Sequence, residues 1–339
     1  MKKIFSTLFA VFALALLAAC NGGKKEFAID GEFMAYEVTE HTTSGVQVPQ
    51  VTMVTVTIKD GKIEKFYIDA RQGTFVKSTP EATEENPDPT EIVSSVKWNE
   101  ETKKELKERY AMKGVGPKYE LKDGAWVEVE GKCELEWYEQ AEAIEAKWLA
   151  DGVDSVTVTD GRIDNVAGVT VKDGGYIKLA KEAVANAKAG KFIVVKEAID
   201  RDTAVFYSIE LTVEKGKAKE IIIDTLQSTT DPVKGTVWNE KTKQELKEDY
   251  NMKGVGPKFE FKDGAWVVVE GKCELEWYEQ AKIIQDYVLA NYDEKLAPIS
   301  GRGATVDGET LIDAFAGVTV NTATYFELVH AVYAKANLK

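Results

Sequence analysis

Residues Trp98–Ala141 align without gaps on Trp238–Ala281, and 37 of the 44 positions are identical. A repeat with a period of 140 residues is too long for a solenoid of small units, so the chain reads as two related domains in tandem. With 339 residues, each copy has enough chain to bury a core of its own. A hairpin pattern precedes each block. It runs through Val51–Ile58 and Ile63–Asp69 around Asp60-Gly61, then again through Val205–Val213 and Ala218–Asp224 around Lys215-Gly216. These landmarks place the first domain at 27–190 and the second at 191–339.

Inside the repeated block, Asn99–Tyr110 has the spacing of a charged amphipathic helix, with the charge runs Glu100–Arg109 and Glu240–Asp249 as solvent faces. Met112–Pro117 reads as a loop and Tyr119–Val129 as a hairpin turning at Asp123-Gly124. Glu134–Ala150 carries Trp137, Ala141, Ile144 and Trp148 on one helical face, and Tyr176–Ala187 turns Ile177, Ala180, Val184 and Ala187 inward. A last helix spans Tyr325–Ala336. The expected fold class is α+β: two duplicated domains, each an antiparallel sheet with packed helices. The stretch Pro80–Pro89 is a polar insertion found in the first copy only, and it reads as an exposed loop.

The N-terminus has the pattern of a secretory signal over residues 1–19: Lys2-Lys3, an apolar run from Ile4 to Leu17, then small residues before Cys20. Leu17-Ala18-Ala19-Cys20 resembles a bacterial lipobox. The resemblance implies cleavage before Cys20, lipidation of its sulfur, a short tether over residues 20–26 and a place on the outer face of the cell membrane, of Gram-positive type. The formal charge is −14, and without residues 1–19 it becomes −16, since only Lys2 and Lys3 are lost. Such a surface repels nucleic acid. Cys133 and Cys273 occupy equivalent positions and belong to no Cys-x-x-Cys pair, so each is expected to be a small buried residue. With His41 and His330 as the only histidines, neither a histidine metal site nor a Ser-His-Asp triad is expected.

One short segment returns at the end of each copy: Asp164-Asn165-Val166-Ala167-Gly168-Val169-Thr170 and Asp313-Ala314-Phe315-Ala316-Gly317-Val318-Thr319. Its alternation is that of an extended segment, with acid and threonine on one side, just before a helix whose N-terminus favours a phosphate. These residues resemble the Asp-x-x-Ser/Thr-Gly/Ala-x-Thr motif of the FMN-binding domain family. Tyr110-Ala111-Met112-Lys113 and the helix start Glu136–Ala141, both repeated in the second copy, are similar to FMN-binding lipoproteins of Gram-positive bacteria. Ala167 and Ala316 stand where the motif usually has a hydroxyl, and Val169 and Val318 where many members have alanine.

The resemblance implies two FMN groups in phosphoester linkage to Thr170 and Thr319, attached by a flavin transferase that uses FAD and magnesium. Asp164 and Asp313 would help present the site, and Gly168 and Gly317 would allow close backbone approach. Met112, Lys113 and Gly114, with Met252, Lys253 and Gly254, would line the flavin ring. The function implied is electron transfer outside the cell, from a quinone-linked membrane donor to acceptors such as ferric iron, with a ferric or flavin-dependent reductase activity. Two other readings stay open: a ligand-binding or structural surface lipoprotein without flavin, and release of a peptide pheromone from the signal sequence.

Overall fold

The computed structural model describes residues 26–78, 93–299 and 301–339. The expected signal peptide, Cys20 and the Pro80–Pro89 insertion lie outside the described residues. In the first half, strands β1 (Gly31–Thr43), β2 (Val46–Lys59), β3 (Lys62–Ser78) and β4 (Val93–Trp98) lead to a single turn of helix, α1 (Lys103–Leu106). Hairpin β5 (Pro117–Lys122) and β6 (Ala125–Lys132), helix α2 (Trp137–Asp151), the two-residue strands β7 (Val158–Thr159) and β8 (Arg162–Ile163), and α3 (Tyr176–Ala189) follow.

The second half has β9 (Lys191–Asp200), β10 (Thr203–Glu214), β11 (Lys217–Asp231), β12 (Gly235–Trp238) and α4 (Lys243–Leu246). Then come β13 (Pro257–Lys262), β14 (Ala265–Lys272), α5 (Trp277–Asn291), β15 (Ala297–Ile299), β16 (Arg302–Val306), β17 (Glu309–Thr310) and α6 (Ala323–Lys335). The architecture is α+β, with six α-helices among the described residues and one large, mostly antiparallel sheet.

Period-two burial builds that sheet. In β2, Val54, Val56 and Ile58 are buried while Thr55 and Thr57 alternate with them at half exposure. The tight turns at Asp60-Gly61 and Lys215-Gly216 take left-handed backbone at both central positions, which fixes the register of each hairpin. The strand order is β4-β3-β2-β12-β11-β10-β9, with β1 paired to β2, and the only parallel step among the described residues is the Gly235↔Gln47 bridge between β12 and β2.

The sheet curls back on itself, so β4 reaches β9 and β10: Trp98 Nε1 donates to Ala198 O at 3.1 Å and Val96 N to Asp202 O at 3.3 Å. From the other side Trp238 Nε1 donates to Thr39 O at 3.0 Å, and the two indole centroids lie 6.3 Å apart. Helix α2 packs on β3 through Trp148 against Phe66, ring centroids 5.5 Å apart, and α5 meets β11 where Gln285 accepts the Ile223 amide at 3.0 Å.

Three expectations about local structure need correction. Asn99–Tyr110 is not one helix: α1 is four residues long, capped by Thr102 and Glu105, and Lys107 at φ +49° breaks it into a 3-10 turn ending at Tyr110. The charge run is not all solvent face either, because Lys103 and Lys104 are buried. In α3 the inward residues are Tyr176, Leu179, Ala180, Ala183 and Ala187, whereas Ile177 and Val184 sit at the rim of the core.

Candidate functional site

Gln140 is the residue on which the first site is built. The start of α2 is fixed by Glu136, whose backbone N–H donates to Glu139 Oε2 at 2.8 Å and whose Oε2 accepts the Met112 amide at 2.9 Å. One turn on, Gln140 is fully buried. Its Oε1 accepts the backbone N–H of Thr170 at 2.8 Å and of Val171 at 3.1 Å, while its Nε2 donates to Leu135 O at 3.3 Å and lies 3.4 Å from Cys133 Sγ. A buried amide satisfied at both ends holds its loop rigidly, since any slip would strand several polar groups.

Gln280 does the same in the second half. It accepts Thr319 N at 2.7 Å and Val320 N at 3.1 Å, and donates to Leu275 O at 3.3 Å.

Above each glutamine the expected extended heptad is a turn. The Val169 amide donates to Val166 O at 3.1 Å and the Val318 amide to Phe315 O at 3.0 Å, which closes the backbone on itself. Gly168 sits at φ +76°, and a Cβ there would come within 2.8 Å of Leu135 Cδ1; the corresponding values for Gly317 against Leu275 are +81° and 2.7 Å. Both the conformation and the close approach require glycine. Asp and Thr therefore do not share one side of a strand.

Asp164 is turned back to Thr157 and Thr159, accepting from both hydroxyls, the second at 2.6 Å. Those two bonds hold its carboxyl below the usual carboxylate range, Thr157 contributing most. Counted back from the Asp307-Gly308 turn of the second half, Ala304 and Val306 replace Thr157 and Thr159, so both hydroxyl partners are lost, and Asp313 is exposed.

The turn and the neighbouring hairpin enclose a cleft in each half. The first has a volume of about 580 Å³ between Asp164–Thr170, Lys118–Leu121, Trp126 and Cys133–Leu135. Arg162 stacks its guanidinium 3.7 Å from the centre of the Tyr119 ring and donates to Thr170 O, tying hairpin to turn. The second cleft, about 320 Å³, lies between Phe259, Phe261, Trp266, Cys273 and the turn residues Phe315, Ala316, Gly317 and Thr319. Arg302 stacks on Phe259 at 4.0 Å, and its carbonyl accepts the Trp266 indole N–H at 3.2 Å. Thr170 is half-buried and Thr319 is buried.

The sequence-predicted residues divide into two groups. The turn residues Asp164, Ala167, Gly168, Val169 and Thr170 bound the first cleft, and Ala316, Gly317 and Thr319 bound the second. Val318 is buried beneath its turn. Met112, Gly114, Met252 and Gly254 stand behind the floor: Gly114 N donates to Cys133 O at 2.9 Å, Gly254 N to Cys273 O at 2.8 Å, and the two methionine sulfurs face Gln140 and Gln280. Lys113 lies 3.7 Å from Glu139, and the Lys253 amide donates to Glu276 at 3.2 Å.

The helix N-termini already have acceptors, because Asp173 Oδ1 takes the Ile177 amide at 3.1 Å and Asn321 Oδ1 the Ala323 amide at 3.0 Å. Cys133 and Cys273 are buried free thiols on the cleft floors. Sequence reasoning missed Gln140 and Gln280 as site residues; their recurrence at one position of the repeated helix start was the available signal.

Fold and site together define an α+β protein with two aromatic-walled clefts, each floored by a glutamine-anchored turn. It is similar to a nucleotide-binding protein of Xanthomonas euvesicatoria pv. vesicatoria, 33% identical over 115 residues, covering 31% of this chain and 71% of that protein. A cyclic di-GMP-binding protein of Xanthomonas campestris pv. campestris is 33% identical over 100 residues, which cover 28% of this chain and 62% of its own length. The chain belongs to the family of these bacterial nucleotide-binding proteins.

No protein-family model matches the chain, and no solved structure matches it. The expected membership of the FMN-binding domain family is thereby corrected, and the electron-transfer flavoprotein function that it implied does not hold: the relatives carry nucleotide-binding and cyclic di-GMP-binding names. No described helix is long and apolar enough to cross a membrane.

Proposed function

We propose that this protein binds nucleotides, one in each cleft, on two tandem units at 27–190 and 191–339. The observation that carries the reading is the buried glutamine that fixes each turn by two backbone amides, Thr170 and Val171 or Thr319 and Val320. It leaves the turn Ala167–Gly168 exposed at a cleft lined by Tyr119 and Trp126, with the half-buried Thr170 at its edge and the Thr170 hydroxyl 3.5 Å from Gln140 Oε1. Aromatic walls suit the flat face of a base, and a rigid turn with exposed backbone at Ala167–Gly168 suits a phosphate. The names of the Xanthomonas relatives support the same ligand class. The net charge of −14 opposes an anionic ligand at long range, so affinity has to come from these short-range donors.

FMN, as a mononucleotide meeting Thr170 and Thr319 and attached by a flavin transferase, is part of the proposal as a candidate ligand. So is a lipid anchor at Cys20 on the outer face of the cell membrane. Calorimetric titration with GMP, cyclic di-GMP and FMN tests the reading. Binding of at least one, weakened by about tenfold or more in Gln140→Leu and Gln280→Leu, is expected, since each change leaves two amides of a turn without an acceptor. Absence of heat with all three, together with an intact mass free of FMN after coexpression with the transferase, would sink it.

A further inference from the structure

The two clefts are built on one plan but are not the same size, and the difference can be traced to particular side chains. The volumes are about 580 Å³ and 320 Å³, a ratio of nearly two. At the third position of the turn, Val166 of the first half is replaced by Phe315, which is buried with its ring 4.9 Å from Tyr287 and 6.0 Å from Phe326. Phe315 also lines the second cleft, at the position where the first is lined by the smaller Val166.

The opposite wall closes in as well. Trp266 spends its indole N–H on the Arg302 carbonyl and lies so close to Gly303 that a Cβ there would be 2.6 Å from the ring. The Trp126 indole N–H of the first half makes no such bond. Thr319 is correspondingly sealed, 6% exposed, with its hydroxyl 3.7 Å from Cys273 Sγ.

We infer that the clefts differ in ligand capacity: the first accepts a dinucleotide-sized ligand, and the second only a single nucleotide. The ligand class rests on the nucleotide reading above, whereas the asymmetry rests on Val166, Phe315, Trp266 and Gly303. A cyclic dinucleotide carries two bases, two riboses and two phosphates, twice the bulk of a mononucleotide, in step with the two volumes. A well-packed ring discriminates by a clash with the larger ligand. Phe315, held by Tyr287 and Phe326, has little freedom to move aside.

The test uses the full chain with two probes, GMP and cyclic di-GMP, and two thiol reagents. Calorimetry is expected to give two GMP per chain and one cyclic di-GMP. Gln140→Leu should weaken cyclic di-GMP by about tenfold or more and leave one GMP bound at its wild-type affinity. Val166→Phe, which copies the second cleft into the first, should weaken cyclic di-GMP by about tenfold more than it weakens GMP. In parallel, a bulky maleimide should modify Cys133 about tenfold faster than Cys273 by peptide mass spectrometry, while a small methanethiosulfonate reacts with both at similar rates.

Two cyclic di-GMP per chain, or equal maleimide rates at the two cysteines, would overturn the inference. If neither nucleotide binds, the nucleotide reading fails on its own, and the ratio of maleimide rates still decides whether the clefts differ in capacity.

Discussion

Lys103 is the residue that most departs from what its neighbours in sequence suggest. It sits in a charge run, yet it is buried, with its ammonium 5.3 Å from the centre of the Tyr110 ring and 5.4 Å from Trp137. Loss of water lowers its pKa to about 8, with Asp69 pulling weakly the other way, and Lys243 in the second half is lowered to about 8 for the same reason. In the unfolded chain a lysine titrates near 10.4, so the unfolded state binds more protons than the folded one between about pH 8 and that value. Stability must then rise with pH across the window. The cost of the buried charge is fully present below about pH 8 and relieved above it. Denaturant unfolding of wild type and Lys103→Met at several pH values should therefore show wild type gaining on the variant by a few kcal/mol across that window, with a slope approaching about 1.4 kcal/mol per pH unit. A gap that stays constant over that range would remove the buried-amine account.

Charge alone made that segment look like a solvated helix, and at the element scale the same misreading has a second cause. Helix α1 is only Lys103–Leu106, and what holds it is its cap: Thr102 accepts the Glu105 amide at 3.2 Å and Glu105 accepts the Thr102 amide at 2.7 Å. Thr242 and Glu245 repeat the box at α4. Because so short a helix has almost no internal hydrogen bonding, Thr102→Ala should cost about 1 kcal/mol of stability, read from the denaturant midpoint, and Thr242→Ala a similar amount. The two should add, being in separate halves.

The hairpins were legible because alternation around an Asp-Gly or Lys-Gly turn admits few other structures, and the apolar stripe of α2 was legible because Trp137, Ala141, Ile144 and Trp148 recur at helical spacing. The cleft turn was not. Val166, Gly168 and Thr170 alternate like a strand in sequence, and the turn they form is held by the amide of Gln140, thirty residues earlier. A glutamine in an amphipathic helix gives no local sign of being buried.

At the scale of the whole molecule, the two halves are fastened by an exchange of tryptophans: Trp98 donates into β9 and Trp238 into β1. Their rings lie 6.3 Å apart, close enough to interact with each other as well. A double-mutant cycle with Trp98→Leu and Trp238→Leu should give a coupling of about 0.5–1.5 kcal/mol. Simple additivity in that cycle would mean that the two clasps act separately.

The exchange also has a consequence in time. The carbonyl that receives the Trp98 indole belongs to Ala198, 100 residues further along the chain. At about 5–20 residues per second, a ribosome needs roughly 5–20 seconds to supply it. Throughout that interval the newly made first half holds an unmatched indole and a strand edge at Gln47 that β12 has yet to cover. Whatever escorts the nascent chain has to shield that edge until its own second half arrives.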